Sequence, residues 1–222
     1  MRKLFLSVAV LLSSVACGQS VQEWRDSLQV LGKAIAANPQ SVELRLRKAA
    51  VNLELNQWDY AIEEYGRVLD IDTCNLTALY FRGYANMQSR RYVMAVVDYE
   101  RILSIVPKHF EAQLGLAIAK KKAAGTVEAM DQFNRLVQLF PDSALAYAAR
   151  AGFEVEQGKL ETALFDWDEA IRMSPGNDDF VISKVDVLLQ LNRKREAKSL
   201  LEQLIARGTP RAALKEWLDR CK

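Results

Sequence analysis

The stretch YVMAVVDYERILSIVP, residues 92–107, returns in altered form at a fixed step along the chain. Positions 126–141 read TVEAMDQFNRLVQLFP and positions 160–175 read LETALFDWDEAIRMSP, each 34 residues after the last. One step earlier, 58–73 read WDYAIEEYGRVLDIDT. Ala61, Ala95, Ala129, Ala163 and Ala197 all keep the step. Four places after each comes a large apolar side chain: Tyr65, Tyr99, Phe133, Trp167 and Leu201. Pro107, Pro141 and Pro175 close successive copies, Thr73 stands in the corresponding place of the earliest, and Pro39 lies two steps before Pro107. Five units follow one another without insertion or deletion.

Each period holds two segments of about 14 residues with apolar recurrences at i, i+3, i+4 and i+7, the spacing of an amphipathic helix. In the second unit the spacing predicts helices over about 76–89 and 92–105. Gly83 and Ala95 are small because two helix backbones approach closely where they cross, and Tyr99 fills the space one turn beyond Ala95 on the same face. Pro107 stops the second helix, since it lacks an N–H and clashes with the preceding turn. A helix pair alone cannot bury its apolar stripe, so successive pairs complete one another's core by stacking.

This unit resembles the tetratricopeptide repeat (TPR) family, whose 34-residue unit carries an early small residue, an alanine, an aromatic four later and a closing proline. Gly83, Tyr92, Ala95, Tyr99 and Pro107 carry the resemblance in the second unit. Leu116, Ala117, Ala129, Phe133 and Pro141 carry it in the third, and Tyr147, Ala151, Gly158, Ala163, Trp167, Ala170 and Pro175 in the fourth. The first unit matches through Ala49, Trp58, Ala61 and Tyr65 but has Lys48 where leucine is usual, and the fifth keeps little beyond Ala197. The resemblance implies an all-α fold, a right-handed α-solenoid of stacked antiparallel helix pairs. The expected division is 1–18 leader, 19–41 capping helix, 42–75, 76–109, 110–143, 144–177 and 178–211 repeats, and 210–222 closing helix. Val21 to Ala37 reads as the N-terminal cap. Thr209-Pro210 reads as an N-cap and first helical residue for a helix to Cys221 that presents Leu214, Trp217 and Leu218, with Trp217 alternatively marking a docking surface.

The first residues read as a secretory leader: Arg2 and Lys3, then an apolar run from Leu4 to Val15, then Ala16, Cys17 and Gly18. The run is too short to span a bilayer, which needs about 20 helical residues; a buried N-terminal helix is the plainer alternative. Ser14-Val15-Ala16-Cys17 resembles a bacterial lipobox with Ser14 in place of the usual leucine, which makes Cys17 the expected lipidation site and membrane attachment point. Ordinary cleavage after Ala16 or Gly18 is the alternative. The expected location is outside the cytoplasm, in the periplasm or anchored to the outer membrane of a bacterium. Loss of Arg2 and Lys3 with the leader makes the basic and acidic side chains equal in number. A nucleic-acid binder needs a cationic excess for phosphate contacts, so none is expected. Cys74 and Cys221 fall about four stacked units apart, too far for a bond that needs Cα atoms within roughly 7 Å, and read as unpaired.

Little in the sequence carries reaction chemistry. The single histidine, His109, follows Pro107 without partners for a triad or metal site, and reads as a solvent-facing turn residue. Glu63, Glu64, Asp98, Asp131, Asp166, Asp168 and Glu169 recur on the second helices and read as an outer solvated face with weak ion pairs, as Asp98 with Arg101. Lys120, Lys121 and Lys122 complement the carbonyls at a helix end or grip an acidic partner, and Arg193 to Arg195 read as a solvated turn. Glycine-rich phosphate loops, Cys-x-x-Cys and His-Glu-x-x-His do not occur, so neither an enzyme nor a cofactor nor a metal is expected.

The family resemblance implies a concave groove lined by first helices, and places Thr77, Tyr80, Tyr84, Met87 and Gln88 there in the second unit. It places Glu111, Leu114, Ile118, Lys121 and Lys122 there in the third, Leu46, Ala50 and Leu53 in the first, and Ala148, Gly152 and Val155 in the fourth. Leu46 and Ala50 hold the positions at which some relatives clamp a C-terminal carboxylate, so that clamp is not expected. The expectation is a groove centred on Tyr80, Tyr84, Leu114 and Ile118 with lysines at its rim, although some of these side chains fit equally well between helices. The function implied is a protein-interaction scaffold of the cell envelope that binds a protein or peptide. An outer-membrane or pilus assembly lipoprotein and a binder of small ligands or glycans are the alternatives.

Overall fold

The computed structural model describes residues 20–222; the leader and Cys17 lie outside the described residues. The described chain is helical and forms two compact units, one running to Pro107 and one from Lys108. In the first unit α1 (Val21–Ala37) precedes two hairpins, α2 (Val42–Glu54) with α3 (Trp58–Ile71) and α4 (Leu76–Gln88) with α5 (Tyr92–Ile105). In the second, α6 (Phe110–Ala123) pairs with α7 (Thr126–Leu139) and α8 (Ala144–Glu156) with α9 (Leu160–Met173). There α10 (Asp178–Gln190) pairs with α11 (Lys194–Ala206), and a 3-10 turn at Arg211–Leu214 leads into α12 (Lys215–Arg220). Within each unit every helix packs on the one that follows it.

Helix α1 and the first helix of each pair start where a side chain can satisfy an orphan backbone N–H. Ser20 opens α1 with a capping box, its hydroxyl accepting from the Glu23 N–H while the Glu23 carboxylate accepts from its own. The first helix of every later pair begins after Ser41, Asn75, His109, Ser143 or Asn177, positions 34 apart. Each accepts a bond from the first turn, Asn75 from the Ala78 N–H at 3.0 Å and His109 Nδ1 from that of Ala112 at 3.3 Å. His109 is thus a half-buried N-cap that also meets Glu111 at 3.2 Å, and not the solvated turn residue expected. Where Thr73 replaces the closing proline, Asp72 braces the turn by accepting from the Cys74 N–H and from Asn75 Nδ2.

The alanine register is the innermost layer. Ala61, Ala95, Ala129, Ala163 and Ala197 are fully buried, and so, to within a few per cent, are the large residues four places on. A Cβ on Gly83 would stand 3.1 Å from the Tyr99 ring, so a methyl group there would require the ring to give by a few tenths of an ångström. In the second unit Phe133 stacks on Phe153, and Trp167 packs on Phe180 with centroids 6.0 Å apart.

Between the helices of a pair the structure corrects the reading of the acidic residues. Glu64, Asp98 and Asp166 do not face solvent; they are buried and bonded to cations of the preceding first helix. Asp98 receives Arg82 through a bidentate guanidinium, its closest contact 2.6 Å, and not Arg101. Asp166 receives Arg150 at 2.6 and 2.7 Å, and the same arginine reaches Asn134 of α7 at 3.1 Å. Glu64 receives Lys48 at 2.7 Å and Arg45 at 3.0 Å, which explains the lysine where leucine is usual. Cation and carboxylate stand 16 residues apart in all three pairs (Lys48–Glu64, Arg82–Asp98, Arg150–Asp166), themselves in register at 34 or 68. The third pair has Leu116 and Gln132 there, and Gln132 bonds to Gln113 instead. In the fifth, Leu200 offers no carboxylate and Lys184 turns to Asp168 of the preceding pair. Glu63, Asp131 and Asp168 are exposed, as read from the sequence.

The C-terminal segment also differs from expectation. Pro210 precedes a 3-10 turn, and Thr209 does not cap it: its hydroxyl donates to Asp178 at 2.6 Å. Leu214 is buried, Trp217 and Leu218 pack on the same core, and the Trp217 indole N–H donates to Asp186 at 3.0 Å. Trp217 is therefore spent on closing the unit. Cys74 and Cys221 are free thiols.

Candidate functional site

In the first unit the residues singled out on α4 form part of an aromatic cluster. Tyr84 meets the edge of Trp58, the first residue of α3, with centroids 6.2 Å apart. Tyr80 stands edge-on to Phe81 at 5.3 Å and tilted against Tyr99 at 6.0 Å, and Phe81 in turn stacks on Tyr65. Tyr65 and Tyr99 are buried, and desolvation pushes both phenols far above their ordinary range. Tyr80, Tyr84 and Met87 are half-buried and Thr77 is exposed, so this face of α4 presents rings that are held from behind and open in front. Burial, and secondarily the carboxylate of Glu54, raise the Tyr84 phenol, which stays a neutral donor at physiological pH. Leu46, Ala50 and Leu53 on α2 are half-buried.

In the second unit Leu114 and Ile118 of α6 are half-buried and pack against the core that holds Phe133 and Phe153. Lys121 is tied down: its ammonium donates to both oxygens of Glu156 at 2.8 and 3.0 Å and lies 6.0 Å from the Phe153 ring. Its charge is largely cancelled, whereas Lys122 is exposed. Ala148 is buried in the core and unavailable to any groove, while Gly152 and Val155 are half-buried. The tyrosines and the α6 residues belong to different compact units.

The helix pairs carry features that sequence reasoning passed over. The bonded acid–cation pairs were signalled by recurrence at 16 residues, which a helix-by-helix reading does not compare. Glu154 is buried with Oε2 unpartnered, close to the charges of Asp166 and Arg150. No group of three or more metal-ligating side chains occurs among the described residues, and no described helix is long and apolar enough to cross a membrane.

A family model for the tetratricopeptide repeat matches residues 20–73 and 114–178, and a second matches 154–218. No curated protein matches the sequence. Among solved structures, a tetratricopeptide repeat protein from Parabacteroides merdae is 23% identical with a TM-score of 0.64, over 90% of this chain and 78% of its own. PilW, described as a widely conserved type IV pilus biogenesis factor, is 18% identical with a TM-score of 0.68, over 83% of this chain and 86% of its own. YrrB, described as a TPR protein with an unusual peptide-binding site, is 20% identical with a TM-score of 0.55, over 79% and 91%. Identities this low speak for the fold alone. With the matched segments covering more than half of the residues and the paired helices in register, the chain belongs to the tetratricopeptide repeat family, a family of protein–protein interaction scaffolds.

Proposed function

We propose that the chain binds an extended segment of another protein on the first-helix faces of the unit that runs to Pro107, with α4 supplying the principal contact. The observation that carries this reading is the half-open cluster of Tyr80 and Tyr84, braced by Phe81, Tyr99 and Trp58. Rings fixed by neighbours lose little rotamer freedom on binding, and tyrosine adds a polar tip to a large apolar body. Thr77 and Met87 extend the same face; in the unit that begins at Lys108, Leu114, Ile118, Lys121 and Lys122 of α6 offer a contact surface of their own, more aliphatic, whose available cation is Lys122.

The setting proposed is the cell envelope, reached by export and held through a lipidated Cys17. The leader pattern from Arg2 to Gly18 supports export, and the lipobox-like Ser14 to Cys17 supports lipidation. The likeness to PilW favours, as a second reading, a role in assembling an envelope structure.

Affinity capture from crosslinked envelope fractions, with identification of what binds, tests the groove. Tyr84→Ala should reduce capture of the segment held by α4 by about tenfold or more, as truncation of a buried interface aromatic does, and Ile118→Ala should reduce capture of what the α6 face holds. Undiminished capture by both variants, with unchanged helical content, removes the groove. The mass of the N-terminus, with and without Cys17→Ala, decides lipidation independently.

A further inference from the structure

Glu54 ends α2, and after the turn from Leu55 to Gln57 the indole of Trp58 opens α3. Trp58 meets Tyr84 of α4 edge-on, with ring planes at 79° and centroids 6.2 Å apart. Both rings are half-buried, and the indole lines a cavity of about 240 Å³ that also reaches Asn56 and Ser89, so it is not sealed in. The Glu54 carboxylate is exposed, and its charge is felt at the Tyr84 phenol. Among the described residues no cation pairs with it.

The fold gives no reason for a negative charge there. The last turn of a helix exposes carbonyl oxygens, which favour a cation and disfavour a carboxylate, and Gln88 and Lys122 hold the same register in the next two repeats. Glu156 holds it as well, and Glu156 is occupied. Lys121 donates to both of its oxygens at 2.8 and 3.0 Å while lying 6.0 Å from the Phe153 ring. At that copy of the position the chain itself builds a cation held by a carboxylate and an aromatic ring. At Glu54 the carboxylate and two rings are present, and no described residue supplies the cation. Arg45 and Lys48 are bonded to Glu64, and Arg82 to Asp98. Arg47 holds the register of Phe81, a position turned toward the preceding helix, as the stacking of Phe81 on Tyr65 shows. Arg91 pairs with Asp59 at 2.9 Å, and Arg90 is exposed in the turn after α4 without a carboxylate partner among the described residues. Glu43, in the register of Thr77 and Glu111, adds a second exposed carboxylate to the groove positions of α2.

Resting on the reading that the α4 face holds an extended protein segment, we infer that this segment presents a basic side chain, arginine in preference to lysine, to Glu54, Trp58 and Tyr84. Charge complementarity selects that occupant. A cation is attracted both by the face of an aromatic ring and by a carboxylate, and here the two stand side by side. A planar guanidinium stacks on a ring while its N–H edge donates to the carboxylate, whereas an ammonium has no plane to stack. An acidic segment or a chain-terminal carboxylate would meet Glu43 and Glu54 as like charges.

Selection of random peptides on the mature chain, with counter-selection on the Tyr84→Ala variant, tests this. The expected result is a set of α4-dependent peptides enriched in arginine at one position. Synthetic peptides with that arginine replaced by alanine, or by its neutral isostere citrulline, should bind about three- to tenfold more weakly. Glu54→Gln should weaken the arginine peptide by a similar factor and the citrulline peptide hardly at all, since the two changes remove one interaction. Glu63→Gln, an exposed acid on α3, should leave binding of the arginine peptide unchanged. Peptides that depend on Tyr84 but show no enrichment in basic residues overturn the inference and leave the α4 contact standing. Equal losses on Glu54→Gln for the arginine and citrulline peptides, or no loss for either, do the same. A selection that yields no Tyr84-dependent peptide removes the α4 contact itself, and this inference with it.

Discussion

Glu154 holds the register that Asn52 and Asn86 hold in the first two helix pairs. Asn86 donates from Nδ2 to the buried Asp98 carboxylate at 3.2 Å, a bond that an ionised glutamate cannot make to an aspartate. At Glu154 Oε2 is buried without a partner, and burial, then the charge of Asp166, raises its pKa against the opposing pull of Arg150. The fold therefore favours the neutral acid. Stability from that preference is complete below the unfolded carboxyl pKa of about 4.3 and is lost as pH rises through the higher folded value. Glu154→Gln keeps the shape and fixes the neutral form. Thermal melts should show it level with the parent near pH 4 and more stable at pH 8; an equal difference at both pH values would contradict the assignment. His109 teaches a related lesson, since the serines and asparagines in its register already spell out an N-cap. Position in the repeat, rather than rarity, identifies its role.

At the scale of the element, the end of each first helix shows how a repeated turn tolerates unequal residues. Asn56, Arg90, Gly158 and Asn192 share one register, and all have φ between 55° and 71°. Each lets the next N–H reach back to the helix, as Arg91 to the Asn86 carbonyl at 2.8 Å and Lys159 to that of Glu154 at 2.9 Å. The third pair solves the turn differently: α6 runs one residue longer, Ala124 stays right-handed, and Gly125 takes the positive φ. Arginine has a Cβ that the left-handed region penalises, whereas glycine has none. Arg90→Gly should therefore stabilise the first unit by about 1 kcal/mol, visible as a higher denaturant midpoint with an unchanged slope. The helix spans themselves are legible because 3.6-residue periodicity and breakers are local signals. The bonded acids within the pairs are not, because which flank of an amphipathic helix meets its neighbour depends on rotation by a fraction of a turn.

For the whole molecule, a stack of pairs leaves an unsatisfied apolar face at its last member, and the segment after Gly208 closes it. Leu214 is the most buried side chain there, and Trp217 and Thr209 anchor the turn to Asp186 and Asp178. Leu214→Ala should cost about 2–4 kcal/mol, the usual range for a buried leucine. Hydrogen exchange should locate the loss in α10, α11 and the closing turn; an effect spread evenly over all helices would count against a local closing role.

The repeat, its 34-residue length, the second-helix alanines and large apolar residues of the core, and the small Gly83 at a crossing are all legible along the chain. These follow from periodicity and side-chain size, which act along a single chain segment. Helix packing alone makes Glu64, Asp98 and Asp166 buried partners of Lys48, Arg82 and Arg150, and gives Lys121 to Glu156. A charged side chain reads the same in a sequence whether it meets water or a counter-ion. The difference is made by what the neighbouring helix places within 3 Å of it, and that depends on how the helices are rotated against one another.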